Sequence, residues 1–365
     1  MRQSSLLKIA SVGLLSISIM AGCSSNGEKT KKEVASTNLS IEEITKKAKA
    51  EGEVNSVGMP DSWANWKGTW DDLNTKYGIK HTDTDMSSAE ELAKFESEKE
   101  NATADIGDVG VAFGPLAQQK GLTLPYKTSY WKDVPDWAKD KDGNWMVGYT
   151  GTIAFITDKN NVKNPPQSWA DIEKGNFKVT IGDVLKAAQA QYGVLAAAYA
   201  NGGDEKNIQP GIDFYAKLAK QGRLQTTDAS ITALEKGEVD VAVIWDFNGL
   251  GYRDKIDKNR FDVVIPKEAS VISGYASVIN KYAKHPNAAK LAREYIFSDE
   301  GQANLARGYA RPIRQNVKLP EDAKAKLLPN EMYKNARPVK DSKAWEQTTQ
   351  QLIQLWPEKV LINVK

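Results

Sequence analysis

A long strand in the middle of the chain is predicted by Gly148-Tyr149-Thr150-Gly151-Thr152-Ile153-Ala154-Phe155-Ile156. This stretch carries no charged residue and is rich in β-branched and aromatic side chains, which is typical of a buried strand. Short strands and helices alternate on both sides of it. We therefore expect the strand to leave one α/β unit and to enter a second one.

The residues before this strand predict the first α/β unit. Ser40-Ile41-Glu42-Glu43 is a capping box that begins an amphipathic helix. Alternating strands and helices favour parallel strands covered by helices. We expect strands at 54–59, 79–82 and 104–109, and helices at 62–77, 88–99 and 113–120.

The residues after the long strand predict a second α/β unit, from which the chain returns near Gly274 to a mostly helical tail. Two units joined by two crossing segments form a hinge, and a ligand is enclosed between them. We therefore expect lobe 1 at 40–151 plus 275–365 and lobe 2 at 152–274. In lobe 2 we expect strands at 177–181, 239–245 and 261–265, and helices at 184–201, 208–221 and 231–236. A returning strand is expected at 270–280.

The first 39 residues predict export and anchoring. Arg2 and Lys8 precede an apolar run at 9–20, and Ala21-Gly22-Cys23 follows it. The run is shorter than the roughly 20 apolar residues that a transmembrane helix needs, so an uncleaved anchor helix is disfavoured. Small residues before a cysteine resemble the bacterial lipoprotein signal. We expect a signal peptide at 1–22, and a flexible tether at 23–39 that is lipidated at Cys23.

The composition excludes several classes of protein. One Cys and two His leave no disulfide framework, zinc ribbon or Cys-His protease site. The formal net charge of +2 gives no sign of nucleic-acid binding. The ten Trp are unusual, and several lie in loop-like contexts where an indole can stack on a ligand as well as pack in a core.

Several segments together resemble the extracellular solute-binding proteins of ABC importers, in the group with polyamine-, ferric-, thiamine- and phosphonate-binding members. Besides the lipoprotein start, they are Met59-Pro60-Asp61-Ser62-Trp63, Asp105-Ile106-Gly107-Asp108-Val109-Gly110, Gly148-Tyr149-Thr150-Gly151-Thr152, Ile244-Trp245-Asp246-Phe247-Asn248 and His285-Pro286-Asn287-Ala288-Ala289. The resemblance extends from about Ser40 to the end of the chain. It implies an α/β, two-lobed periplasmic-binding-protein-like fold of type II with two hinge crossings.

The same resemblance implies a function without catalysis. The expected protein is a monomer without cofactor or metal that binds a small-molecule solute and delivers it to an ABC permease. It is extracytoplasmic, does not bind nucleic acid, and touches the membrane only through its lipid anchor.

The candidate ligand site lies in loops after the carboxyl ends of strands. In polyamine-binding relatives the loop after the first strand supplies acidic and aromatic groups, and Asp61 and Trp63 occupy that place. A Trp face and a desolvated carboxylate both attract a cation, so an amine-bearing, polyamine-like solute is our first expectation. The other candidates are Ser87, Ser88, Asp108, Tyr149, Asp183, Trp245, Asp246 and Tyr275.

Other interpretations of these residues remain open. The spacing of Trp63, Trp66 and Trp70 also fits one buried helix stripe, to which we assign the last two. Asp183 equally fits a helix N-cap. Ferric ion is disfavoured because the relatives that bind it typically use adjacent Tyr ligands, and this sequence has no Tyr-Tyr pair.

An anionic solute is the alternative within the same class. Ser87 and Ser88 begin a predicted helix, whose N-terminus attracts anions, and phosphate-binding relatives use a Ser pair at a similar place. Arg311 and Arg314 offer positive charge. A phosphate- or phosphonate-bearing solute is therefore the second expectation, and a zwitterion satisfies both sets of residues.

A secreted phosphatase is the alternative from another class. Asp83-Thr84-Asp85-Met86-Ser87 resembles the paired-Asp motif of phosphotransferases. That motif follows a strongly apolar strand, whereas residues 77–82 predict a weak one and no partner motif is present. The enzyme interpretation is disfavoured.

Overall fold

Two sheets that share one long strand organise the computed structural model, which describes residues 39–314 and 316–364. The strands are β1 (Glu53–Val57), β2 (Lys80–Thr84), β3 (Ile106–Gly110), β4 (Trp145–Asp158), β5 (Val179–Thr180), β6 (Leu224–Gln225), β7 (Val241–Trp245), β8 (Phe261–Val264), β9 (Ser270–Ile279), β10 (Arg311–Pro312) and β11 (Ala336–Pro338). The helices are α1 (Ile41–Glu51), α2 (Trp66–Tyr77), α3 (Ser88–Glu98), α4 (Phe113–Gln119), α5 (Trp169–Lys174), α6 (Ala188–Ala200), α7 (Gln209–Lys220), α8 (Ile231–Glu235), α9 (Asp246–Ile256), α10 (Pro286–Phe297), α11 (Asp299–Arg307), α12 (Glu321–Lys324) and α13 (Ser342–Lys359).

The shared strand is β4, as residues 148–156 predicted. Up to Thr152 it pairs with β9, and from Ile153 onward it pairs with β7 and β8. The first sheet has the order β2-β1-β3-β9-β4 and the second has β4-β7-β5-β6. The chain thus changes sheets at Thr152, where a crossing was expected. It returns between β8 and β9, a few residues before Gly274.

The strand directions are mixed. Within the two units β1 pairs in parallel with β2 and β3, and β5 with β6 and β7, as the alternation of strands and helices predicted. The central strands β4 and β9 run antiparallel to each other. Their contact is so close at Gly274 that an added Cβ atom would collide with the carbonyl oxygen of Tyr149. Only glycine fits this point of the junction.

Local capping signals place two helices correctly. Ser40 and Glu43 form the predicted capping box of α1, and Ser87 with Glu90 forms one at the start of α3. The helix expected at 62–77 begins only at Trp66, because the residue before it, Asn65, has left-handed backbone dihedrals with φ of 56°.

The helix expected at 184–201 also begins later, at Ala188, with Ala187 at the N-cap position. The interpretation of Asp183 as the cap of this helix is therefore wrong; its carboxylate instead accepts a hydrogen bond from Leu185 N at 2.9 Å. α6 itself is buried on nearly all sides, since its sequence is almost entirely apolar.

The core covers both faces of the sheets. Trp66 and Trp70 are 1% and 4% exposed, which confirms their assignment to a buried helix stripe. Within residues 39–314 and 316–364, every helix is too short or too polar to span a lipid bilayer. The expected signal peptide, Cys23 and nearly all of the tether lie outside the described residues.

Candidate ligand-binding site

A cavity of about 500 Å³ opens where the loops after β1, β2 and β6 meet the first turns of α3 and α6. The wall is completed by the segment between β5 and α6, Asp108 in the middle of β3, Tyr252 of α9 and Tyr275 of β9. The cavity therefore draws on both sheets at the junction around β4. This volume suits a small molecule.

Acidic side chains dominate the lining. The cavity wall contains one lysine, Lys186, and six carboxylic acids, Asp85, Glu90, Glu91, Asp108, Asp183 and Asp228. Lys186 already forms an ion pair with Glu90 at 3.2 Å. The remaining five acids have no cationic partner within salt-bridge distance among the described residues.

Two acidic residues from different sheets lie at the mouth of the cavity. Asp85 follows β2 in the first sheet, whereas Asp228 follows β6 in the second sheet. Partial burial raises the pKa of Asp85 above its ordinary value, and the negative charge of Asp228 raises it further. The Asp228 carboxylate therefore lies close enough to destabilise the charged form of Asp85.

A second acidic pair lies deeper. Burial raises the pKa of Glu91 well above its ordinary value, and nearby Asp108 adds to this effect. The Glu91 carboxylate accepts a hydrogen bond from the backbone N–H of Asp108 at 3.1 Å. It also occupies the space where a side chain at Gly58 would lie. This floor of the cavity is costly to charge unless a cation compensates it.

An aromatic hydrogen-bonded chain supports the floor. Trp63 donates its indole N–H to the Tyr149 hydroxyl at 2.7 Å, and Tyr149 donates to Asp108 at 2.6 Å. Burial raises the pKa of Asp108 well above its ordinary value, and the hydrogen bond from Tyr149 opposes that rise. The chain fixes the position of Trp63, whose ring packs edge-on against Tyr275 at 5.3 Å between centroids.

Six of the ten residues predicted to bind ligand line this cavity: Trp63, Ser87, Ser88, Asp108, Asp183 and Tyr275. Their assignment as ligand contacts remains a prediction. The other four lie outside the lining, namely Asp61, Tyr149, Trp245 and Asp246.

These four residues have other surroundings. Asp61 is exposed beside the cavity. Tyr149 is fully buried behind Trp63, and Trp245 is buried with its indole N–H donated to the Tyr275 hydroxyl at 2.9 Å. Asp246 accepts hydrogen bonds from Thr152 N and the Tyr333 hydroxyl, so its carboxylate braces the strand crossing.

The groups proposed for an anion have partners within the protein, although among the described residues the Ser88 hydroxyl keeps its own proton free to donate. Ser87 donates its hydroxyl to Glu90 at 2.8 Å, and the Ser88 hydroxyl accepts a hydrogen bond from Gly110 N at 3.0 Å. Arg311 donates to Leu328 O, and Arg314 forms ion pairs with Asp133 and Asp299. Neither arginine lines the cavity.

Three residues that the sequence did not nominate are prominent in the site. Asp85 was considered only as part of the disfavoured phosphatase motif, and neither Glu91 nor Asp228 was singled out. Asp83, the other acid of that motif, accepts hydrogen bonds from Ser56 and Met59 N and does not line the cavity. Among residues 39–314 and 316–364, no group of three or more His, Cys, Asp or Glu is arranged to hold a metal ion.

Known proteins with the same fold have been solved. The periplasmic binding protein AfuA from Actinobacillus pleuropneumoniae superposes with a TM-score of 0.68 at 19% identity, covering 85% of this chain and 98% of that one. Apo ferric ion-binding protein A from Pasteurella haemolytica gives a TM-score of 0.63 at 15% identity, over 84% and 97% of the two chains. These likenesses confirm the predicted type II periplasmic-binding-protein fold.

Sequence comparison leads to the family. The sulfate-binding protein of Escherichia coli (strain K12) is 30% identical over 203 residues, which is 53% of this chain and 60% of that protein. The match thus spans less than two thirds of the relative. Residues 101–338 match the family described as bacterial extracellular solute-binding proteins, well over half of the chain. The chain therefore belongs to the bacterial extracellular solute-binding proteins.

Proposed function

We propose that this protein is the solute-binding subunit of an ABC importer and that its solute is a small organic cation carrying one or more amines. The importer role is supported by membership of the solute-binding family. Membership does not identify the solute, because the similar proteins are a sulfate-binding protein, a ferric ion-binding protein and a protein with bound fructose-6-phosphate. The choice of solute must come from the cavity.

The observation that carries the choice is the charge of the lining. Six acids face one lysine, and that lysine is already paired. Burial and the charge of a neighbouring carboxylate raise the pKa of Asp85 and of Glu91. An ammonium group placed between these carboxyls would relieve both effects and would form charge-assisted hydrogen bonds.

The aromatic wall suits the same solute. Trp63, Tyr252 and Tyr275 line the cavity together with the acids. Rings with a negative face attract a cation and cover the methylene groups of an alkylamine. The lining thus offers partners for both the ammonium group and the apolar stem of an alkylamine.

A solute bearing an anionic group is the second candidate. The first turns of α3 and α6 lie at the cavity, and helix N-termini present unpaired backbone N–H groups to anions. The sulfate-binding relative favours this reading of the site. A zwitterion would place its anionic end at the helices and its amine at the acids.

We further propose that the two predicted lobes, 40–151 plus 275–365 and 152–274, close on the solute by rotation about the crossings. Closure removes water and strengthens each polar contact to the solute. The closed form would then dock on the permease, which transports the solute unchanged.

The decisive experiment is a thermal-shift panel on the purified protein. Putrescine and spermidine should raise the melting temperature, because a ligand that binds only the folded state stabilises it. Sulfate and inorganic phosphate should leave it unchanged, and an aminophosphonate tests the zwitterion. A rise with sulfate and none with the amines would refute the cationic solute.

The anchor needs a separate test, since Cys23 lies outside the described residues. We propose that Cys23 is acylated and holds a monomeric protein at the outer face of the cell membrane. Cys23→Ala should release the protein into the medium and abolish incorporation of labelled palmitate. Retention of both membrane association and label in this variant would contradict the proposal.

A further inference from the structure

A second cavity, of about 340 Å³, lies on the other side of the first turns of α6. Its lining shares no residue with that of the acidic cavity. The walls come from the start of α4, the start of β4, the middle of α6, β9 and the segment that links β11 to α13. Residues far apart in sequence thus meet around one cavity that is open to solvent.

The walls of this second cavity are aromatic. Trp137, Trp145, Tyr192 and Trp345 all line it. Trp137 is 53% exposed, which is unusual for so large an apolar side chain. The rings of Tyr192 and Trp345 lie 5.3 Å apart between centroids. Such walls fit a flat, apolar molecule.

One polar group in the same walls has no hydrogen-bond partner. The indole N–H of Trp145 is unpaired within the described residues, whereas the Trp345 indole and the Ser273 hydroxyl interact with the Tyr192 hydroxyl and lower its pKa. Trp345 and Ser273 are 2% and 4% exposed. Burial raises the pKa of the neighbouring Tyr192 phenol to about 12, which keeps it protonated. Because an indole N–H can only donate, a molecule that satisfies the Trp145 indole must offer a hydrogen-bond acceptor.

The mouth of the cavity is net positive. Lys340 and Lys343 lie in the lining against a single acid, Glu346. Neither lysine forms a side-chain ion pair with any residue that the structure describes. This distribution of charge is opposite to that of the acidic cavity and favours an anion.

We propose that this second cavity is a binding site for a small aromatic carboxylate. The ring lies between the indoles, and the carboxylate accepts hydrogen bonds from the Trp145 N–H and from the ammonium groups of Lys340 and Lys343. The site is independent of the solute in the acidic cavity, so it stands or falls separately from the proposed function.

The test is calorimetric titration of the full chain with phenylacetate and, in a separate titration for comparison, with phenethylamine. Phenethylamine has the same ring with a cation in place of the carboxylate, so the site should prefer phenylacetate. Trp137→Ala removes an exposed wall and should weaken binding of phenylacetate about fivefold. Trp131→Ala removes the same side chain outside the lining and should leave binding unchanged.

Asp85→Asn distinguishes binding in the two cavities, because Asp85 lines only the acidic cavity. This variant should bind phenylacetate with unchanged affinity. The proposal is overturned if phenylacetate fails to bind at about 10 mM, a concentration that detects very weak sites. It is equally overturned if phenethylamine binds as well as phenylacetate, if Trp137→Ala has no effect, or if Asp85→Asn abolishes binding.

Discussion

Neutralising Asp85 provides the sharpest test of the charge of the solute. Asp85→Asn keeps the shape of the side chain but removes one negative charge from the cavity wall. An ammonium about 4 Å from a carboxylate gains about 1 kcal/mol in water and about 4 kcal/mol near a protein surface. Because Asp85 retains contact with solvent, we expect a loss of about 2 kcal/mol, or about thirtyfold in the affinity for an amine.

The sign of the effect distinguishes the two candidate solutes. Calorimetric titration with spermidine should show weaker binding to Asp85→Asn and to Asp228→Asn. Asp61→Asn is the matched control, since Asp61 is exposed and lies outside the lining. An anionic solute would instead bind more tightly to the neutralised variants. Unchanged or increased spermidine affinity in both would therefore refute the electrostatic reasoning.

Three further outcomes follow from the same geometry. Tyr149→Phe leaves Trp63 and Asp108 without their buried hydrogen-bond partner, so the free energy of unfolding in urea should fall by about 1–3 kcal/mol. An unchanged free energy of unfolding would show that the hydrogen bonds from Trp63 to Tyr149 and from Tyr149 to Asp108 do not form. The pKa of Asp85 is raised above its ordinary value of 3.8, so titrations at decreasing pH should show amine affinity falling as this carboxylate takes up its proton. The folded state holds that proton more strongly than the unfolded chain, so the contribution of Asp85 to ligand-free stability should decline as the pH rises from about 4 through the raised pKa. Gly274→Ala should destabilise the protein by several kcal/mol in thermal melts, because its Cβ would lie 2.6 Å from Val147 and collide with main chain that cannot move; a near-normal melting temperature would contradict the close contact.

Local signals made the frame of the fold predictable. The uncharged run at 148–156 predicted the shared strand, and the capping boxes at Ser40 and Ser87 marked helix starts. Each of these patterns involves only residues that are close in sequence, so it can be recognised without knowledge of the fold. The delayed starts of α2 and α6 were not predictable in this way. The backbone just before α2 packs directly against Gly308, so closely that an added Cβ atom at Gly308 would collide with Ala64. This contact joins residues that are distant in sequence, so a local pattern does not contain it.

The site was less predictable because its acids act together only after folding. Ser87 and Glu90 form a local cap, and that role explained the acidic start of α3 without reference to a ligand. Asp228 lies in an exposed loop more than a hundred residues from Asp85, and no periodic pattern relates the two. The nomination of Asp246 followed the rule that ligand groups come after strands, but its carboxylate braces the backbone of Thr152 instead.

The positions of Asp85 and Asp228 at the mouth of the acidic cavity relate the charge of the solute to the proposed closure of the lobes. Asp85 follows a strand of the first sheet and Asp228 follows a strand of the second, and the negative charge of Asp228 raises the pKa of Asp85 when nothing lies between them. Repulsion of this kind opposes approach of the two sides while the cavity is empty. A cation between the carboxylates reverses its sign, since both then gain from coming closer. A neutral solute of the same size would fill the space without this gain. Under the proposed function, selectivity for a cation and the driving force for enclosure would both arise from this pair of side chains, and neutralising either residue should reduce both.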